Sequence, residues 1–171
     1  VAIKARAVRT SAGSSGQIKY QRIMKKVMAL ICFATLCMTG AALSAEDTFV
    51  PLGATWKYLD NGSDQGTAWA APGFDDSGWS SGPAQLGYGD NDESTVVSFG
   101  GVSNNKFITT YFRHTFAVPS PGIYAVLRLR VRRDDGVVVY LNGNEVFRSN
   151  MGTDPVSFDT RAQNAGDDGN S

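Results

Sequence analysis

Beyond Glu46 the chain is built of short apolar or alternating runs set between clusters of Gly, Asp, Asn and Pro. No stretch sustains a 3.6-residue hydrophobic period. An amphipathic helix needs that period to turn one stripe inward, whereas a strand needs only a two-residue repeat. The pattern therefore predicts an all-β domain of many short strands. Strands are expected over Thr55–Leu59, Gln85–Tyr88, Thr95–Phe99, Phe107–Val118, Ile123–Arg133, Val137–Leu141 and Glu145–Arg148. Between the first two, Asn61-Gly62 and Asp75-Asp76-Ser77-Gly78 are turn signals, so 61–78 reads as loop. Trp56, Trp69 and Trp79 are spaced through this region and are expected to serve the core or to pin the loop.

Two stretches say more. Asn142-Gly143 stands between VVVYL and NEVFR, and a two-residue type I′ turn, which needs positive φ at both central positions, favours that dipeptide. Within Ile123–Arg133, Leu127, Leu129 and Val131 share one face and Arg128, Arg130 and Arg132 the other, as in a sheet with one side on a core. Phe107–Val118 divides into Ile108, Thr110, Phe112, His114 and Phe116 against Thr109, Tyr111, Arg113 and Thr115.

The first 45 residues follow a different grammar. Met24 is followed by Lys25-Lys26, an uncharged run from Val27 to Leu43, and small residues ending at Ala45. This is the three-part pattern of a secretory signal peptide, with cleavage expected between Ala45 and Glu46. The alternative is a single membrane-spanning helix, for which an apolar run of this length is only just sufficient. Thr35, Thr39, Gly40 and Ser44, with Glu46-Asp47 beyond the cut, favour removal and hence no membrane contact afterwards. Because the chain opens on Val1, translation is expected to begin at Met24, with Val1–Ile23 an upstream extension; a long basic leader is the alternative. The module itself is then 46–171. Cys32 and Cys37 both fall in the leader, so the module has no disulfide and must be held by its core, a metal or a neighbouring domain.

Charge changes the picture once it is divided. The whole chain balances 16 Lys+Arg against 16 Asp+Glu, but residues 1–45 hold seven basic residues and no acid. Residues 46–171 carry nine basic and sixteen acidic residues, a net of −7, which argues against a nucleic-acid partner.

Signatures of catalysis are sparse. His114 is the sole histidine, so no metal site can have two imidazole ligands, and no Gly-x-Ser-x-Gly elbow accompanies it. On a face with Phe112 and Phe116 it reads as structural. Carboxylate pairs of the kind glycosidases use occur at Asp75/Asp76, Asp90/Asp92/Glu93 and Asp134/Asp135, all in turn contexts that favour Asp for local backbone bonding. The sequence therefore reads as non-catalytic. Asp90, Asp92 and Glu93 in one loop are also a candidate set for a structural calcium ion, which prefers carboxylate and carbonyl oxygens. A glycan site needs an aromatic face beside hydrogen-bonding groups, and Tyr111 with Arg113 and the row Arg128, Arg130 and Arg132 supply the candidates. The alternative is a solvated sheet face.

FDDSGW (Phe74–Trp79), YFRHTFAVP (Tyr111–Pro119) and DDGVVVYLNGNEVF (Asp134–Phe147), in this order, resemble the galactose-binding-like jelly-roll domains of secreted bacterial proteins. They are similar to the sugar-binding domains that accompany glycoside hydrolases, and the likeness runs from about Trp56 to Phe158. It implies a two-sheet antiparallel sandwich, in which Trp56, Trp79, Asn142 and Gly143 are structural. It also implies a role in binding glycan or cell-surface polysaccharide for a larger extracellular protein, or as an architectural spacer packed on an adjoining domain. Such domains end with one or two further apolar strands, whereas Met151–Ser171 is polar and rich in Gly, Asp and Asn, so the sandwich is expected to lack its closing strand.

Overall fold

The computed structural model describes residues 2–9, 46–89 and 91–164. The expected signal peptide, 24–45, lies outside them. Among the described residues the fold is all-β, with ten strands and two single-turn 3-10 helices at Ala68–Ala70 and Pro121–Ile123. In chain order the strands are β1 Ala2–Arg9, β2 Glu46–Thr48, β3 Thr55–Leu59, β4 Ser80–Pro83, β5 Leu86–Gly87, β6 Thr95–Val96, β7 Tyr111–Arg113, β8 Tyr124–Arg132, β9 Val137–Leu141 and β10 Asn144–Ser149. They form four small open sheets, β4-β3-β7, β2-β1-β8, β9-β10 and β5-β6, of which only the last is parallel.

Strand Thr55–Leu59 has its expected bounds, and β8 and β9 lie within a residue of theirs. The Phe107–Val118 strand is reduced to Tyr111–Arg113, because β3 supplies only Lys57–Leu59 as ladder partners on that side. The other edge of β3 recruits β4, whose SSGP sequence carries no alternation of its own. Gly82 of β4 stands opposite Trp56, and a Cβ there would lie 2.4 Å from the Thr95 hydroxyl, so the close approach itself requires glycine. Residues 2–9, expected to lie outside the module, form β1 between β2 and β8. Asn142 and Gly143 close the β9–β10 hairpin with φ of 51° and 82°, the left-handed pair that the turn demands.

Two apolar clusters hold these pieces. Val50, Trp56, Ala84, Leu86 and Val97 are buried together, with Phe49, Tyr58, Phe112 and Phe116 packed on them. The second cluster is aromatic: Phe74 meets Trp79, Trp79 meets Tyr111, Tyr111 meets Trp69, and Trp69 meets Tyr140, at centroid distances of 5.7, 6.0, 5.0 and 5.5 Å. These spacings suit edge-to-face contacts. They tie the 61–79 loop across β7 to β9. Both faces of β7 are thus covered, one by each cluster.

Candidate functional site: an apolar groove beside β9

Among the described residues, a groove of about 960 Å³ opens beside β9. It runs between the 108–116 segment, Leu127 and Leu129 of β8, all five residues of β9, Val146 and Phe147 of β10, and the stretch that follows β10. Why it is apolar follows from the strands. Leu127 and Leu129 share the inward face of β8 by alternation, while a register shift between Glu145 and Phe147 lets the adjacent Val146 and Phe147 both line the groove. β9 is bonded only to β10 among the described strands. Ile108, Leu127, Val146, Phe147 and Phe158 line the groove and remain 36–54% exposed, a clustering unlike the scattered apolar residues of an ordinary surface.

The polar side chains on this wall are already engaged. Arg113 is mostly covered: its Nε donates to Asp76 Oδ2 at 2.7 Å, and its Nη1 donates to the carbonyls of Trp69 and of Ala71, the latter at 3.1 Å. Its guanidinium also lies 5.2 Å from the Phe74 ring centre. Tyr111 is 4% exposed, with its hydroxyl accepting from the Gln65 N–H, and burial pushes its phenol above the usual tyrosine range despite that bond. The face expected to offer Tyr111 and Arg113 to a ligand is therefore closed by the 61–79 loop. Alternation identifies two faces of a strand but not which distant segment settles on one of them. Burial likewise raises the Tyr140 phenol, with Glu145 adding to the effect. His114 lies against Trp56 at 4.8 Å, its Nδ1 2.9 Å from the Thr55 carbonyl, which is a structural placement. Trp56 and Trp79 are both buried.

The remaining sequence candidates lie elsewhere. Arg128 and Arg130 are exposed on the outer face of β8, while Arg132 pairs with Asp92 at 3.3 Å. Asp92 also accepts from Gln85 Nε2 at 3.1 Å, so its carboxylate is turned to donors rather than toward a cation. Asp90 lies outside the described residues. Among those described, no three His, Cys, Asp or Glu side chains gather as a metal site. Two further carboxylates expected in turns do turn work, whereas Asp76 pairs with Arg113. Asp75 Oδ1 accepts from the Ser77 N–H, which holds its carboxyl below the usual range, and Asp134 Oδ1 accepts from the Asp135 N–H. The sequence reading missed the groove because its lining is gathered from segments scattered between Val50 and Ala162. The one available signal was the Val137–Leu141 run, apolar on both faces.

Comparison with protein-family models, with curated proteins and with solved structures returns no match. Among the described residues, no helix is long and apolar enough to cross a membrane.

Proposed function

We propose that this chain is a non-catalytic, secreted accessory module of a larger extracellular protein, a jelly-roll sandwich in outline, that works by seating neighbouring polypeptide in its apolar groove. The observation that carries this reading is the concentration of exposed aliphatic and aromatic side chains around a strand bonded on one edge. A sugar site would need free hydrogen-bonding groups beside an aromatic face, and on this wall Arg113, His114 and Tyr111 are already partnered. Of the two roles expected from the sequence, packing on an adjoining domain therefore fits the lining better than glycan binding.

The test pairs two measurements on the 171-residue chain. Amide exchange across β9 is followed with and without the polypeptide adjoining it in its own gene, and the chain is displayed to a glycan array. Slowed exchange at Val137–Leu141 with no sugar-competable array signal is the expected outcome. Competable glycan binding, with β9 exchange unmoved by the neighbour, would replace this reading with the lectin-like one.

A further inference from the structure

At the end of the groove where β9 begins, the lining changes character. Ile108 and Ala162 line the groove and also a smaller pocket of about 240 Å³, whose other walls are Ser103, Asn104, Asn105, Lys106, Phe107 and Arg161. Gly136, the residue before β9, abuts this junction, since a Cβ there would lie 3.1 Å from that of Ala162. Both walls are held in place. The 99–107 loop is closed by the Phe107 N–H, which donates to the Phe99 carbonyl at 3.0 Å, and the Asn105 N–H donates to the Val102 carbonyl within it. The Phe107 ring lies against Gly62 and Gly100, where a Cβ would stand 2.4 and 3.0 Å from it. The stretch carrying Arg161 is fastened by the Thr109 hydroxyl, which donates to the Phe158 carbonyl, and by the Gln163 N–H, which donates to that of Asn150.

The polar groups of this pocket are uncommitted. Arg161 is exposed and has no hydrogen-bonding or ion-pair partner among the described residues. The side chains of Ser103, Asn104 and Asn105 are exposed too and make no hydrogen bond there. The Lys106 ammonium rests 4.8 Å from the Tyr88 ring centre and 5.9 Å from that of Phe99. Ring faces fix its position without neutralising its charge. Two cations thus share one pocket that no carboxylate lines, in a segment whose net charge is −7. Along the groove the one lysine or arginine among the described lining residues is Arg113, already bonded to Asp76.

We infer that this pocket receives carboxylates of the polypeptide that docks in the groove. The occupant is an extended segment, apolar where it runs beside β9 and carrying Asp or Glu at the end that passes the start of that strand. Charge complementarity decides its chemistry. A cationic pocket joined through Ile108 and Ala162 to an apolar groove matches a segment that joins an acidic end to an apolar run. Lys106 and Arg161 supply the charge, while Ser103, Asn104 and Asn105 supply donors for the remaining carboxylate lone pairs. The extended form follows from β9, which is bonded on one edge alone among the described strands and can accept a further strand on the other. The inference rests on the docking role proposed above and names the chemistry of the docked segment.

The experiment uses the full 171-residue chain and a set of end-capped ten-residue peptides. Each alternates Val and Thr and carries Glu-Glu, Gln-Gln or Lys-Lys at one end, with both chain directions made because a strand can add to β9 in either. The Glu-Glu peptide should slow amide exchange at Val137–Leu141. It should bind about five- to tenfold more tightly than Gln-Gln, from two exposed ion pairs, and Lys-Lys should bind more weakly than either. The Glu-over-Gln preference should shrink in high salt. It should vanish in the variant that combines Lys106→Gln with Arg161→Gln, exposed positions whose replacement moves the thermal midpoint little. It should survive in the variant that combines Arg128→Gln with Arg130→Gln. Equal binding of Glu-Glu and Gln-Gln, with β9 still protected, overturns the inference and leaves the docking reading standing. So does a preference that depends on Arg128 and Arg130 instead. If no peptide slows exchange along β9, the docking reading falls as well. Binding of galacturonate that is lost in the Lys106/Arg161 variant, without any peptide preference, assigns the pocket to an acidic sugar and also overturns the inference.

Discussion

Arg113 shows how one side chain can hold a loop that has no regular structure of its own. Its fork joins Asp76 to the carbonyls of Trp69 and Ala71, so three points of the 61–79 loop meet one residue of β7. Lysine keeps the charge but cannot bond three acceptors in a plane. Arg113→Lys is expected to lower stability by about 1–3 kcal/mol, read as a fall in the urea midpoint with the slope unchanged. Gly82→Ala acts by crowding: the added methyl displaces Thr95, whose hydroxyl donates to the Pro83 carbonyl at 2.8 Å. The expected cost is again about 1–3 kcal/mol, measured the same way. Tyr111 gives an alkaline signature. Its phenol titrates higher when folded than when unfolded, so its contribution is complete below the ordinary tyrosine value of about 10 and is lost as pH rises through the folded value. The thermal midpoint should therefore fall above pH 10, and less steeply in Tyr111→Phe.

At the level of elements, the β9–β10 hairpin is the best-specified piece. Its turn needs two left-handed residues, and Gly143 supplies the second at φ 82°. Gly143→Ala is expected to cost about 1–2 kcal/mol, seen as faster amide exchange along both strands. Within β10, Arg148 bonds both oxygens of Glu145 and also reaches the Gly152 and Asp154 carbonyls, so it fastens the segment that follows. The hydrogen bond from Arg148 holds the Glu145 carboxyl below its usual range. That contribution is present above the ordinary glutamate value of about 4.3 and is lost as pH falls through the depressed one. Glu145→Gln should remove this part of the acid-side loss, visible in the pH dependence of exchange at residues 145–154. The hairpin was legible in the sequence because a turn and two flanking alternations are local. β4 was not, since nothing in Ser80–Pro83 marks a strand apart from the open edge of β3 beside it.

Across the whole molecule, what stands out is a groove wall that behaves like surface although its composition is that of a core. Leu127 and Phe147 are 45% and 43% exposed, so replacing both with Asp should move the urea midpoint little, within about 0.5 kcal/mol per site. The same double variant should strongly reduce the fluorescence of a dye that reports exposed apolar surface. Val139, by contrast, is only 9% exposed. Val139→Asp should unfold the chain or lower its midpoint sharply, by leaving a carboxylate without a partner.

The all-β class, the hairpin turn and the two faces of β8 were decided by the sequence alone, because each depends on residues within a few positions of one another. The fate of the expected ligand face was decided only in three dimensions. Tyr111 and Arg113 alternate correctly with Phe112, yet Asp76, 37 residues away, and the Trp69 ring, poised between Tyr111 and Tyr140, close over them. The groove arose in the same way, from β8, β9, β10 and the 108–116 segment converging with no described strand in the space they leave. Periodicity is a property of neighbouring residues, whereas coverage is a property of distant ones, and only packing settles which distant ones meet.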